Sequence, residues 1–201
     1  LNKYIKREFK PEEHEDCVPV KLFAVRNRAE YINKLMFEKI NEKTYEFTQV
    51  IKTDCKAYLE SVKPFSLEVQ LKCQQATALE IEKEVEYLSN NIPCSIILSL
   101  KKGAVVMCTS NIDMDRGICN GSQGVIIDII ENKDNPEDIK PVVKFSNGVI
   151  MQMARQYWQS EEYPNIAIGQ YPLCLAWAFT IHKIQGSTMS MAEIDIGMTI
   201  F

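Results

Sequence analysis

The chain has 201 residues, 46% hydrophobic and 25% charged, with a formal net charge of −4. That allows one large domain or two small ones around an ordinary core, and no run approaches the roughly 20 apolar residues that span a bilayer. An acidic balance argues against a self-sufficient phosphate binder, so a nucleic-acid role has to rest on a few placed groups or on a partner domain.

The opening, LNKYIKREFK, lacks an apolar signal region and an initiating Met. It reads as a piece of a longer intracellular protein, with residues 1–16 as a linker or tail. VPVKLFAV (18–25) suits a buried strand. Asn27 and Glu30, three apart, fit a capping box, and Ile32, Leu35, Met36 and Ile40 follow as a helical stripe of plain core packing. Between 44 and 66 the periodicity is poor, with Tyr45, Phe47, Val50 and Ile51 suggesting one strand. Residues 67–90 look like one helix, with Ile81, Val85 and Leu88 on one face and Glu80, Glu82, Glu84 and Glu86 on a solvated one.

From Leu98 the pattern turns to β. VVMCTSNI (105–112), GVIIDIIE (124–131), PVVKFS (141–146) and VIMQMARQYW (149–158) read as strands, and Asn120-Gly121 and Asn147-Gly148 as tight turns. Short strands joined by tight turns over this length suggest a small barrel. In LCLAWAFTIHKIQG, Trp177, Ile181 and Ile184 stand at i, i+4, i+7, which predicts a helix ending at Gln185 with Gly186 as its left-handed cap. The closing AEIDIGMTIF reads as a buried strand.

The chemistry-bearing patterns are few. Neither G-x-x-x-x-G-K-[ST] nor G-x-G-x-x-G occurs, so nothing here grips nucleotide phosphates unaided. Seven cysteines include no C-x-x-C pair, and the two histidines, His14 and His182, stand far apart; a disulfide framework and a zinc site both lack support. Cys174 and His182 share a segment, but Cys174 sits in an apolar run, a poor setting for a thiolate. The run Thr180 to Thr188 sets hydroxyl, imidazole, ammonium and amide groups at the end of an apolar element. Such groups donate to phosphate oxygens; equally, they are what a capped helix end with a lysine near its negative pole displays.

Three strings carry a resemblance. PLCLAWAFTIHKIQGSTM resembles motif V of the Pif family of superfamily 1B, RecD-like DNA helicases, at Pro172, Leu173, Leu175, Ala176, Trp177, Ala178, Thr180, Ile181, His182, Lys183, Gln185, Gly186 and Thr188. LSLKKGAVVMCTSNIDMDRGICNGSQGVI is similar to a further stretch of that family, at Leu98, Leu100, Lys101, Gly103, Ala104, Val106, Met107, Asn111, Asp113, Gly117, Asn120, Gly121 and Gly124. VKLFAVRNRAEYIN resembles its motif IV more loosely, at Leu22, Arg26 or Asn27, and Asn33.

The resemblance implies an α/β fold: a second RecA-like helicase domain, a parallel sheet with flanking helices, formed by residues 17–97 and 170–201, with an inserted SH3-like small β-barrel at 98–169. It implies single-stranded DNA contacts at Thr180, His182 and Lys183, with Asn111 as a further candidate, and a nucleotide-facing set of Gln185, Gly186 and Arg26. ATP and Mg²⁺ would be held mainly by a preceding N-terminal RecA-like domain of the same protein, and motif VI would follow Phe201. The expected partners are that domain, single-stranded DNA and duplex junctions, and no membrane. The complete protein would be an ATP-dependent helicase stepping 5′ to 3′ in replication, repair or recombination, and the chain alone would be inactive. The rival reading is a non-catalytic nucleic-acid or protein-binding module with decayed motor motifs. Trp158, on the last barrel strand, has a face that could stack on a base, though a core position is the commoner role of such a ring.

Overall fold

The structure is a computed structural model, and it describes residues 19–54, 66–132, 139–184 and 192–194. Strand β1 (Val20–Phe23) alternates buried Val20 and Leu22 with exposed Lys21, as a half-covered strand should. Helix α1 (Arg26–Glu38) follows and packs over it. Two more strands, β12 (Ala178–Thr180) and β13 (Ala192–Ile194), flank β1 in a parallel sheet of order β12-β1-β13. A polar pair reinforces the register: Lys21 lies opposite Glu193, their side chains 3.7 Å apart.

The remaining strands are antiparallel. A five-stranded sheet runs β11 (Leu173–Leu175), β5 (Val105–Cys108), β6 (Gln123–Glu131), β7 (Ile139–Phe145), β8 (Ile150–Gln152). All four residues of β5 are buried, which is why its sequence is a continuous apolar run rather than an alternating one. The turn from β7 to β8 is closed by the Gly148 N–H donating to Phe145 O at 2.9 Å, with Gly148 at φ +86°, a conformation that suits glycine. Two smaller sheets, β3 (Val50–Lys52) with β10 (Ala167–Gln170) and β9 (Gln156–Gln159), and β2 (Tyr45–Thr48) with β4 (Ile97–Leu100), complete the strands of the described residues. Helices α2 (Leu67–Gln75) and α3 (Ala78–Asn91) precede β4. No helix among the described residues is long and apolar enough to cross a membrane.

One buried amide joins the small sheets. Gln170 is fully buried; its Nε2 donates to Phe47 O at 2.8 Å and Ser95 O at 3.2 Å, while its Oε1 accepts from Tyr171 N at 2.9 Å and Arg155 Nη1 at 3.2 Å. Arg155 also donates to Thr48 O at 2.8 Å and lies 4.9 Å from the Tyr171 ring. Lys101 plays a similar part at the end of α1, donating to Phe37 O at 3.2 Å and Ile40 O at 2.9 Å; an ammonium there also complements the helix dipole.

Several expectations are corrected. The Asn27–Glu30 capping box does not form: Val25 is the N-cap of α1, without a side-chain cap bond, and Glu30 instead accepts from Arg26. The single strand expected around 45–51 is two strands in different sheets. The single helix expected at 67–90 is broken at Ala76, because Thr77 and Glu80 form a reciprocal capping box that starts a new helix. VIMQMARQYW is also two strands, β8 and β9, which pair in different sheets. The helix expected to end at Gln185 is replaced by β11, β12 and a 3₁₀ turn (His182–Ile184), since the backbone of 178–180 is taken up by pairing with β1. Strand β13 exists, but its three residues are exposed rather than buried.

Replacing Gln170 by Leu removes the buried amide's bonds to Phe47 O, Ser95 O, Tyr171 N and Arg155 Nη1. The expected loss is about 3 kcal/mol, read as a lower urea midpoint; an unchanged midpoint contradicts the hub role.

Candidate nucleic-acid interface

The segment that ends β12 is set by one side chain from α1. Asn33 presents its amide to the strand: Nδ2 donates to Ala178 O at 2.7 Å, and Oδ1 accepts from Trp177 N at 3.1 Å and Ala178 N at 2.9 Å. Strand β12 is thus held on one side by β1 and on the other by Asn33. It delivers Thr180 to the rim of a cleft of about 800 Å³ between α1 and the strand ends. Immediately after it the chain tightens into the 3₁₀ turn. The Lys183 N–H donates to Thr180 Oγ1 at 3.3 Å, which fixes the start of that turn. His182 and Lys183 are exposed, and the Lys183 ammonium lies 5.8 Å from the ring of buried Phe179.

The cleft is more basic than the chain around it. Arg26, Lys34, Lys183 and His182 line it, with Glu30 as its carboxylate and Ser95, Ser99 and Thr180 as neutral donors. Arg26 and Glu30 form an exposed pair at 2.6 Å, and Lys34 approaches Glu38 at 3.9 Å. Exposed pairs of this kind bind weakly, so both cations can turn to an incoming anion at small cost. A locally positive concavity on a chain of net charge −4 is a focused field rather than a general one.

Comparison with known proteins finds related sequences and structures. The family described as DNA helicase Pif1, 2B domain, matches residues 85–129. The zebrafish (Danio rerio) ATP-dependent DNA helicase PIF1 is 37% identical over 114 residues, covering 56% of this chain and 17% of that protein. The solved Pif1 helicase of Candida albicans superposes with a TM-score of 0.61 at 25% identity, over 97% of this chain and 42% of that one. The chain is homologous to Pif1-family superfamily 1B DNA helicases, over a C-terminal portion of those proteins. The Bacteroides Pif1 structure bound to single-stranded DNA aligns with a TM-score of 0.52 at 25% identity, over 90% of this chain and 35% of that one. The chain therefore spans under half the length of these relatives. Its parallel sheet with flanking helix and its separate antiparallel sheets match the C-terminal RecA-like and SH3-like domains of Pif1 structures.

Within this Pif1-like frame the sequence-derived residues divide. Arg26, Thr180, His182 and Lys183 come together around one cleft. Asn111 does not line it; it sits in the loop between β5 and β6, where its Oδ1 accepts from Asn120 N at 2.9 Å. Gln185 and Gly186 lie outside the described residues. Trp158 is half-buried on β9, away from this cleft. The sequence marks Asn33 as a matching position of the motif IV string but not as the residue that aims the site, and Lys34 was missed as one of its cations. The signal for Asn33 was an amide one turn after buried Ala29, on the face that meets the sheet.

The Cys–His alternative fails on chemistry. Burial pushes the Cys174 thiol up to about 11, against the opposing pull of the Lys183 ammonium, and pushes Cys108 up to about 12. Neither is a thiolate near neutrality. An unfolded thiol titrates near pH 8.5, so above that pH the folded chain holds protons that the unfolded chain releases. Stability contributed by these two thiols is full below about pH 8.5 and declines as pH rises toward 11–12. Native protein at pH 8 is expected to leave Cys108 and Cys174 unalkylated by iodoacetamide while urea-unfolded protein reacts at both; rapid labelling in the native state contradicts this picture.

Proposed function

We propose that this chain is part of an ATP-driven DNA helicase and supplies contacts to single-stranded DNA together with one side of the nucleotide cleft. The observation that carries the reading is the basic cleft at the end of β12, where Thr180, His182 and Lys183 meet Arg26 and Lys34 on a chain of net negative charge. Such groups bind phosphate oxygens and carry little sequence readout, which suits a motor that steps along any strand. The alignment with a Pif1 structure that carries single-stranded DNA supports the same assignment.

In this reading Thr180, His182 and Lys183 hold the strand's phosphates, and Asn111 adds a contact from the β5–β6 loop. Residues 17–97 and 170–201 form the second RecA-like domain, and 98–169 the SH3-like insertion. Arg26, Gln185 and Gly186 make up the nucleotide-binding set of this reading. ATP with Mg²⁺ supplies the free energy of stepping when bound. The described residues bring no group of three or more metal-ligating side chains together, and the chain has no phosphate loop, so the phosphate grip falls to a preceding domain of the same protein. Stepping runs 5′ to 3′, and the complete enzyme acts on single strands and duplex junctions in replication, repair or recombination.

The test uses the full-length protein. Combining His182→Ala with Lys183→Ala is expected to weaken single-stranded DNA binding roughly tenfold and to flatten the salt dependence by about 0.7 in log–log slope for each phosphate that is no longer neutralised. DNA-stimulated ATP hydrolysis is expected to fall with it. Unchanged affinity, salt slope and stimulated hydrolysis would remove these residues from the DNA path.

A further inference from the structure

A second groove, of about 860 Å³, lies between α3 and the β9–β10 region. It shares no lining residue with the cleft described above and has the opposite electrostatic character. Four carboxylates line it, Glu80, Glu84, Glu161 and Glu162, against the single ammonium of Lys83. Its walls carry three large rings: Tyr87, 62% exposed, Trp158, half-buried, and Tyr163, buried. Leu88, Ile92 and Pro93 give it an apolar floor.

The groove's own lining, at Glu162 and Tyr163, already shows what such a surface holds. Lys72 sits 4.9 Å from the Tyr163 ring while its ammonium pairs with Glu162 at 2.7 Å, so one cation is shared between a ring face and a carboxylate. Elsewhere Lys43, Lys52, Lys101, Arg155 and Lys183 each lie over an aromatic ring. Among the described residues none is placed over Trp158 or Tyr87. Three of the groove's carboxylates are engaged locally: Glu80 in the Thr77 capping box, Glu84 with Ser160 Oγ at 2.6 Å, and Glu162 with Lys72. Glu161, exposed at the rim three residues from Trp158, is where a further cation is most easily met.

We propose that this groove is a docking site for an extended, arginine-bearing segment of a protein partner. A planar guanidinium satisfies both features at once, stacking on an indole or phenol face and bonding a carboxylate in its plane. An apolar floor suits the intervening side chains of a peptide. A nucleic-acid strand fits badly: base stacking on Trp158 would carry phosphates into a wall of four carboxylates, where like-charge contact opposes it. The groove is therefore a protein-facing surface, independent of the DNA-facing cleft.

The test is calorimetric titration of the full chain with an acetylated, amidated tetra-arginine peptide at low salt, with a tetra-citrulline peptide and a thymidine oligonucleotide as comparison ligands. The expected result is saturable one-to-one binding of tetra-arginine, with blue-shifted or quenched emission from Trp158; Trp177, 6% exposed, contributes little change. Citrulline should bind at least tenfold more weakly. Trp158→Leu and Glu161→Lys should each weaken tetra-arginine binding about tenfold, whereas Asp115→Lys, the same charge change on the β5–β6 loop, should leave it within twofold. Equal loss in Asp115→Lys would reduce the effect to diffuse attraction and overturn the proposal. So would failure of tetra-arginine to bind, equal binding of citrulline, or displacement of the peptide by the oligonucleotide from Trp158.

Discussion

The Asn33 amide holds the arrangement together. A helix laid on a parallel sheet usually meets it through apolar side chains alone, which fix distance but leave sliding along the strand cheap. Here α1 adds three directional bonds to the backbone of Trp177 and Ala178, and directional bonds made in a partly dry site resist sliding as packing does not. Strand β12 is short, Ala178–Thr180, and β1 pairs it on one side. With its other side tied to Asn33, the position of Thr180 is fixed relative to Arg26 and Lys34 on the same helix. The cleft's chemistry is thus set by a residue that need not touch any ligand.

The rest of the fold returns the chain to that point. The five-stranded sheet ends on β11, which pairs with β5, and two residues later the chain is in β12 of the parallel sheet. A shift of the antiparallel body would therefore be passed to Thr180 over a very short lever. Gln170 and Arg155 guard against such a shift by tying β10 and Tyr171 to the β2 and β4 region through bonds that only one arrangement satisfies. Both hubs, Asn33 and Gln170, are amides: Asn33 uses its donor and acceptor atoms on the backbone of β12 and the residue before it, and Gln170 donates to backbone carbonyls of Phe47 and Ser95 while accepting from Arg155 Nη1 and Tyr171 N. Substituting hydrophobic side chains of similar size would keep the volume and lose the alignment.

Much of this was legible in the sequence, for reasons that can be named. Strand β1, the β6 and β7 pair and the Asn147-Gly148 turn follow from local pattern and turn chemistry. The spacing of Thr180, His182 and Lys183 was readable because their polar types interrupt an apolar run. The last segment was misread because Trp177, Ile181 and Ile184 repeat with helical spacing, while the backbone of Ala178 to Thr180 was already committed to β1, a partner more than 150 residues away. Local periodicity does not report a long-range ladder. The break between α2 and α3 was missed for the opposite reason. Its signal, Thr77 followed three residues later by Glu80, was local and present, and was hidden in a run of glutamates that read as a solvated face.

Asn33 aims the end of β12. Amide hydrogen exchange on the full chain carrying Asn33→Ala tests it most directly. Exchange across residues 177–180 is expected to be at least tenfold faster, with protection in β6 and β7 unchanged. Unaltered protection at 177–180, or an equal loss throughout β6 and β7, would contradict it.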